Sequence, residues 1–195
     1  MGAHEELEHA EHIEHAGHSN KGIALLISVL ALFLALAETM GKSAQTGAIS
    51  YNVEASDQWA FYQAKTIRMG QVQTAADSLE LTSSTTTDPA LKAGQAKLID
   101  VWRKEAARSD DDPGRNGRKQ LMARARESEH KRDLAMAKYH HFEVASAAFQ
   151  IGIVLASATI ITGMIALAWI SGLLALTGLV FTAIGLFAPH AVHLM

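Results

Sequence analysis

The sequence contains no cysteine and only three prolines in 195 residues. The missing thiols exclude disulfides, thiolate metal centres and cysteine nucleophiles. So few prolines, with 14 glycines, exclude collagen-like and proline-rich chains. Aromatic residues are scarce, at 6%. Charge of either sign barely dominates: the net value of −3 offers no basis for a nucleic-acid partner. The motifs GxSxG, GxxxxGKS/T, GxGxxG and HExxH are all absent. We therefore expect a non-enzymatic protein with no catalytic residue.

What is present is a sharp partition of residue types. Apolar residues crowd into 22–40 and 146–189, and charges crowd into 1–21 and 42–143. A soluble domain interleaves the two at helix or strand period, whereas a membrane protein separates them. Gly22–Ala37 carries no charge and, extended to Met40, is long enough to cross a ~30 Å hydrocarbon core. A second run covers Ala147–Ile170 and a third covers Gly172–Ala188, with Ser171 and Gly172 between them as the expected turn of a helical hairpin. Ala35-Leu36-Ala37 resembles a signal-peptidase site. However, the residues before the first run hold five glutamates and one lysine, where a secretory signal needs positive charge. We read a retained anchor.

Between the first and second runs the chain reads as helices. Ile49, Val53, Ser56, Ala60, Ala64 and Ile67 recur at spacings of three and four and predict a close helix–helix seam. Ser83–Thr87 is a poor helix, and Asp88-Pro89 restarts one with a cap and a first-turn proline. A second helix to about Arg108 places Leu91, Leu98, Trp102 and Ala106 on one side. Asp110–Gly114 is a solvated break, and Asn116 is the expected cap of a third helix. That helix carries Leu121, Ala125, Ser128, Arg132, Ala135, Tyr139, Phe142, Ser146 and Phe149 as one stripe running into the second span. Arg132 either snorkels from the seam or pairs with Glu54 or Asp57.

The expected fold is thus an all-α integral membrane protein. Its parts are a His/Glu-rich tail (1–21), a first transmembrane helix (22–40), a helical, coiled-coil-like cytoplasmic stalk (41–145), a transmembrane hairpin (146–189) and a C-terminal tail (190–195). The small residues of Ala148-x3-Gly152-x3-Ala156 and Gly178-x3-Thr182 permit close packing within the hairpin or between protomers. Orientation follows the positive residues near the spans. Lys42, Lys131, Arg132 and Lys138 flank the central segment, against Lys21 alone beyond the first span. This places the central segment and the C-terminus in the cytoplasm and the N-terminus in the periplasm.

Three groups of residues could carry function. In the tail, His4, His9, His12, His15 and His18 alternate with glutamates at i,i+4 spacing. Glu8, His12 and His15 share one helical face that suits weak Zn²⁺, Ni²⁺ or Cu²⁺ binding; a solvated polar helix explains the same pattern. No other cofactor is expected. At the cytoplasmic membrane boundary, Glu38, His140, His141, Glu143, His190 and His193 should lie at one depth. They could bind a metal, a headgroup or a cofactor, or simply anchor the spans beside Tyr139 and Phe142. Lys42, four residues on, could neutralise Glu38. Finally, Trp59, Phe61 and Tyr62 would stand on the outer face of the stalk and suggest a contact with a second copy.

The segments HAEHIEHAGHSNKGIALLISVLALFLALAE (9–38), GKSAQT (41–46) and NVEASDQWAFYQAKTIR (52–68) resemble the bacterial membrane proteins grouped as domain-of-unknown-function family 4337. The resemblance extends over essentially the whole chain. It implies three spans with a helical insert and a bacterial inner-membrane location, and supplies no activity or catalytic residue. The partners expected are the lipid bilayer, a second copy of the chain, or a larger membrane complex. The leading function is a self-associating scaffold or accessory subunit. The alternatives are an oligomeric transport or channel component and a metal-binding or pH-responsive membrane protein.

Two outcomes follow. A reporter fused within Ser83–Thr87 should read cytoplasmic and one at the N-terminus periplasmic; the reverse pair would invert the assigned orientation. Deleting residues 1–18 should leave insertion and assembly intact, and the full chain should hold no stoichiometric Zn²⁺, Ni²⁺ or Cu²⁺ after extensive dialysis. Retained metal that disappears with the deletion would instead establish the tail as a metal site.

Overall fold

The structure, a computed structural model, describes residues 3–112, 114 and 116–191, with side chains from Lys21 onward, apart from 113 and 115. Among the described residues there are four helices and no strands: α1 (Ala3–Thr85), α2 (Pro89–Asp110), α3 (Arg118–Thr162) and α4 (Ile165–Phe187). Three of them are long and apolar enough to cross a membrane, namely α1 from Lys21, α3 and α4. The chain divides into two compact units, one of Met1–Ala48 with Asp133–Met195 and one of Ile49–Arg132.

The helix boundaries have local causes. Hydroxyls of Ser84, Thr85 and Thr86 donate to the carbonyls of Leu81 and Thr82 at 2.7–3.0 Å, which satisfies acceptors left over at the end of α1. Asp88 then caps α2, its carboxylate accepting from the Ala90 and Leu91 amides, with Pro89 pre-set in the first turn. Between α2 and α3 the expected solvated break is tied down. Gln120 and Lys119 donate to the Asp111 carboxylate at 2.7 and 3.2 Å, and Arg118 pairs with Asp110 at 2.9 Å. Asn116 does not cap α3. It lies in the left-handed region (φ 66°), and the first helical bond runs from the Leu121 amide to the Gly117 carbonyl. A side chain at Gly117 would meet the Asp112 nitrogen at 2.3 Å, so the turn requires glycine there.

In the apolar unit, the reversal between the last two helices is not at Ser171–Gly172. It falls at Gly163 and Met164, so α3 ends at Thr162 and α4 begins at Ile165. Gly163 adopts φ 71° and its amide donates to the Thr159 carbonyl, a glycine-terminated helix end that only a residue without Cβ forms cheaply. Ser171 is instead a buried bridge: its hydroxyl donates to the Gly152 carbonyl on α3 at 2.7 Å. The buried residues of α4 are Ser171, Gly178 and Gly185, seven apart on one stripe. Gly178 lies against the Phe149 ring and Gly185 against His141 and Phe142. Phe149 also stacks on Phe33 of α1 at 6.0 Å and joins Leu30, Ala37 and Ala145 in the core. The small-residue face Ala148, Gly152 and Ala156 is buried inside this unit. The hydroxyls of Thr159, Thr162, Thr177 and Thr182 bond back to their own helices.

The α3 stripe emerges as expected, with Leu121, Ala125, Ser128, Ala135, Phe142 and Phe149 buried and Arg132, Tyr139 and Ser146 half-buried. The α1 stripe does not. Its inward positions recur every seven residues, from Ile23 through Leu30 to Ala37 and, after one step of four, from Gly41 through Ala48, Ala55, Tyr62, Met69 and Ala76 to Ser83, all buried or half-buried. Such a 3.5-residue period keeps one face inward along a helix. The expected seam of Ile49, Val53, Ser56, Ala60, Ala64 and Ile67 is exposed, about one residue out of phase. In α2, likewise, Ile99, Ala106 and Ser109 are buried, whereas Leu91 and Leu98 are exposed.

These contacts set opposite expectations for two glycines. A Cβ at Gly178 would come within 2.6–2.9 Å of the Phe149 ring, so Gly178→Val should lower stability in detergent by about 2 kcal/mol, partly recovered by adding Phe149→Leu. A Cβ at Gly94 meets nothing within 4 Å, so Gly94→Ala should raise stability by about 0.5–1 kcal/mol. Thermal unfolding of the three variants checks both signs; a harmless Gly178→Val would contradict the close approach.

Candidate functional site

The uncharged run of α1 ends at Glu38, and that of α3 begins after Glu143. In the apolar unit these two acids line one open groove of about 370 Å³, together with Lys42, Gln45, Tyr139 and Gln150. A Cβ at Gly41 would sit 3.4 Å from that of Phe142, so α1 and α3 lie close together beside the groove. Gln150 donates to Glu38 Oε1 at 3.1 Å, and Tyr139 donates to Glu143 Oε1 at 3.4 Å. His140 Nδ1 lies 3.6 Å from Glu143 Oε2. Lys42 forms no ion pair with Glu38, although one turn of helix separates them.

The six residues expected at one depth are therefore split. Glu38 and Glu143 share the groove, and His140 flanks it. His141 turns away and is 1% exposed, packed on Phe181, with Nε2 3.0 Å from the Pro189 carbonyl. A carbonyl only accepts, so Nε2 carries the hydrogen; Nδ1 is buried without a partner. His190 is exposed, and His193 lies outside the described residues. The side chains of Glu8, His12 and His15 are also outside those described. Among the described residues no three His, Asp or Glu side chains gather as a metal site. Sequence reasoning missed Gln150 as the partner of Glu38. The available signal was that Gln150 is the only carboxamide between Val144 and Ala188.

In the other unit, Trp59 and Tyr62 are not on an outer face. The Trp59 indole donates to Glu129 Oε1 at 2.9 Å and meets Tyr62 edge-on at 5.4 Å. The Arg118 guanidinium covers the Tyr62 ring. Phe61 alone of the three is exposed. Arg132, half-buried in the α3 stripe, donates to Asn52 Oδ1 at 3.4 Å. Surface ion pairs link Arg68 to Glu105, Arg103 to Glu80 and Lys131 to Glu127. The hydrogen bond from Lys131 holds the Glu127 carboxyl below its ordinary range, and that from Gln120, then from Lys119, does the same for Asp111. These groups are open to solvent, where such pairs contribute little to stability.

The family model described as domain of unknown function DUF4337 matches residues 19–188. No curated protein and no solved structure matches the chain.

Proposed function

We propose that this chain, which belongs to the DUF4337 family, is a non-enzymatic protein of the bacterial inner membrane that self-associates and serves as a scaffold or accessory subunit. Its three apolar helices span the bilayer, with the N-terminus periplasmic and the central segment and C-terminus cytoplasmic.

One observation carries the self-association. Along α1 in the Ile49–Arg132 unit, one exposed face carries a row of large aliphatic residues. Ile49, Val53, Ile67 and Leu81 are 55–74% exposed, with Phe61 beside them, while Gln58 and Lys65 occupy half-buried positions of the inward stripe. Exposed aliphatic residues repeated on one helix face mark an interaction surface. The small-residue faces of the apolar unit are by contrast already occupied, Gly178 by Phe149 and Gly152 by Leu30 and Ser171. The contact between copies therefore belongs to the exposed stripe of α1. Trp59 and Tyr62, engaged within their own chain, take no part in it.

Val53→Glu and Ile67→Glu should lower the particle mass measured by light scattering in mild detergent, with helix content unchanged. Trp59→Phe should leave the mass unchanged but cost about 1 kcal/mol in unfolding through the lost bond to Glu129. A wild-type chain that is monomeric under those conditions would sink the proposal.

A further inference from the structure

The groove between α1 and α3 holds charges of both signs that are not matched to one another. Lys42 has no acidic partner among the described residues. Glu38 has only Oε1 engaged, by Gln150, and Glu143 receives a phenol and a histidine nitrogen at 3.4–3.6 Å. The groove lies where two uncharged runs end, at Glu38 on α1 and Glu143 on α3. In a bilayer-spanning chain that level is the headgroup layer, where tyrosines such as Tyr139 are enriched. Its volume of about 370 Å³ is within the range of small-molecule sites.

We infer that this groove binds the headgroup of a lipid bearing a phosphate and a primary ammonium, of the phosphatidylethanolamine class. Lys42 receives the phosphate, and the carboxylates of Glu38 and Glu143 receive the ammonium hydrogens. The charge balance argues for this choice. Two acids against one lysine repel an anionic headgroup, so an acidic phospholipid is disfavoured. A trimethylated ammonium carries the charge but has no N–H to donate, so a choline headgroup would leave the second oxygen of Glu38 without a hydrogen bond. A charged acceptor left without a hydrogen bond is costly. Gln150 contributes by fixing the Glu38 side chain, which leaves its second oxygen for the ligand.

The inference rests on the membrane-spanning reading, so the two are tested separately. Extraction of native membranes with alkaline carbonate should leave the full-length protein in the pellet; its release would refute the spanning reading. For the headgroup, the purified full chain in detergent would be supplied with ethanolamine, choline and glycerol phospholipids of identical acyl chains, and bound lipid counted by native mass spectrometry. The ethanolamine lipid should be retained about tenfold over the other two, the size expected for one charge-assisted hydrogen bond. Glu38→Gln with Glu143→Gln should abolish the preference while circular dichroism stays unchanged. Lys42→Ala should weaken binding but keep the preference over choline. Excess soluble phosphoethanolamine should displace the lipid, which shows that the headgroup rather than the acyl chains is recognised. Equal retention of the three lipids by the wild-type chain, retained preference in the double variant, or preference for choline through Tyr139 and Phe142 would each overturn the inference.

Discussion

The apolar unit depends on Phe149 resting where α4 has no side chain. A phenyl ring fully buried among α1, α3 and α4 can occupy that place only because Gly178 faces it. Within a bilayer the lipid tails are as apolar as the core, so burial itself supplies little drive for helices to associate. Close van der Waals contact and hydrogen bonds between helices have to supply it. The stripe of Ser171, Gly178 and Gly185 provides both. Its glycines admit Phe149, Phe142 and His141, and its serine closes a bond to the Gly152 carbonyl. The same geometry fixes the hairpin. Antiparallel helices in this register must reverse near residue 163, and Gly163 takes the left-handed conformation that the reversal needs.

Where the uncharged runs end, close packing gives way to polar chemistry. α1 and α3 lie close together at Gly41, and longer polar side chains nearby line the groove. The partner of Glu38 there is Gln150 rather than Lys42. His141 shows a second solution, a buried ring that donates to the Pro189 carbonyl while stacked on Phe181. Two histidines adjacent in sequence thus have different fates because neighbours on a helix point about 100° apart.

The Ile49–Arg132 unit follows ordinary aqueous rules. Its inward positions are small or amphipathic, its ion pairs are exposed, and its turns are held by capping carboxylates. The feature out of keeping with those rules is the aliphatic stripe left uncovered on α1, which is why the proposed function rests there.

Composition and local chemistry alone account for several parts of this protein. These are the three apolar helices, the Asp88-Pro89 start of α2 and the α3 stripe, whose Leu and Phe anchors stand apart from charged faces. Membership of the family was also legible, from residues 9–68. Tertiary structure decided which face of α1 turns inward. Alanine and other small residues lie on both neighbouring stripes there, so periodicity fixes the repeat but not its phase. It decided the hairpin turn as well, because Ser171-Gly172 and Gly163-Met164 are equally plausible until the partner of Ser171 is known. It also decided the groove. Glu38 and Gln150 are 112 residues apart, and no local pattern brings a carboxylate to the amide that holds it.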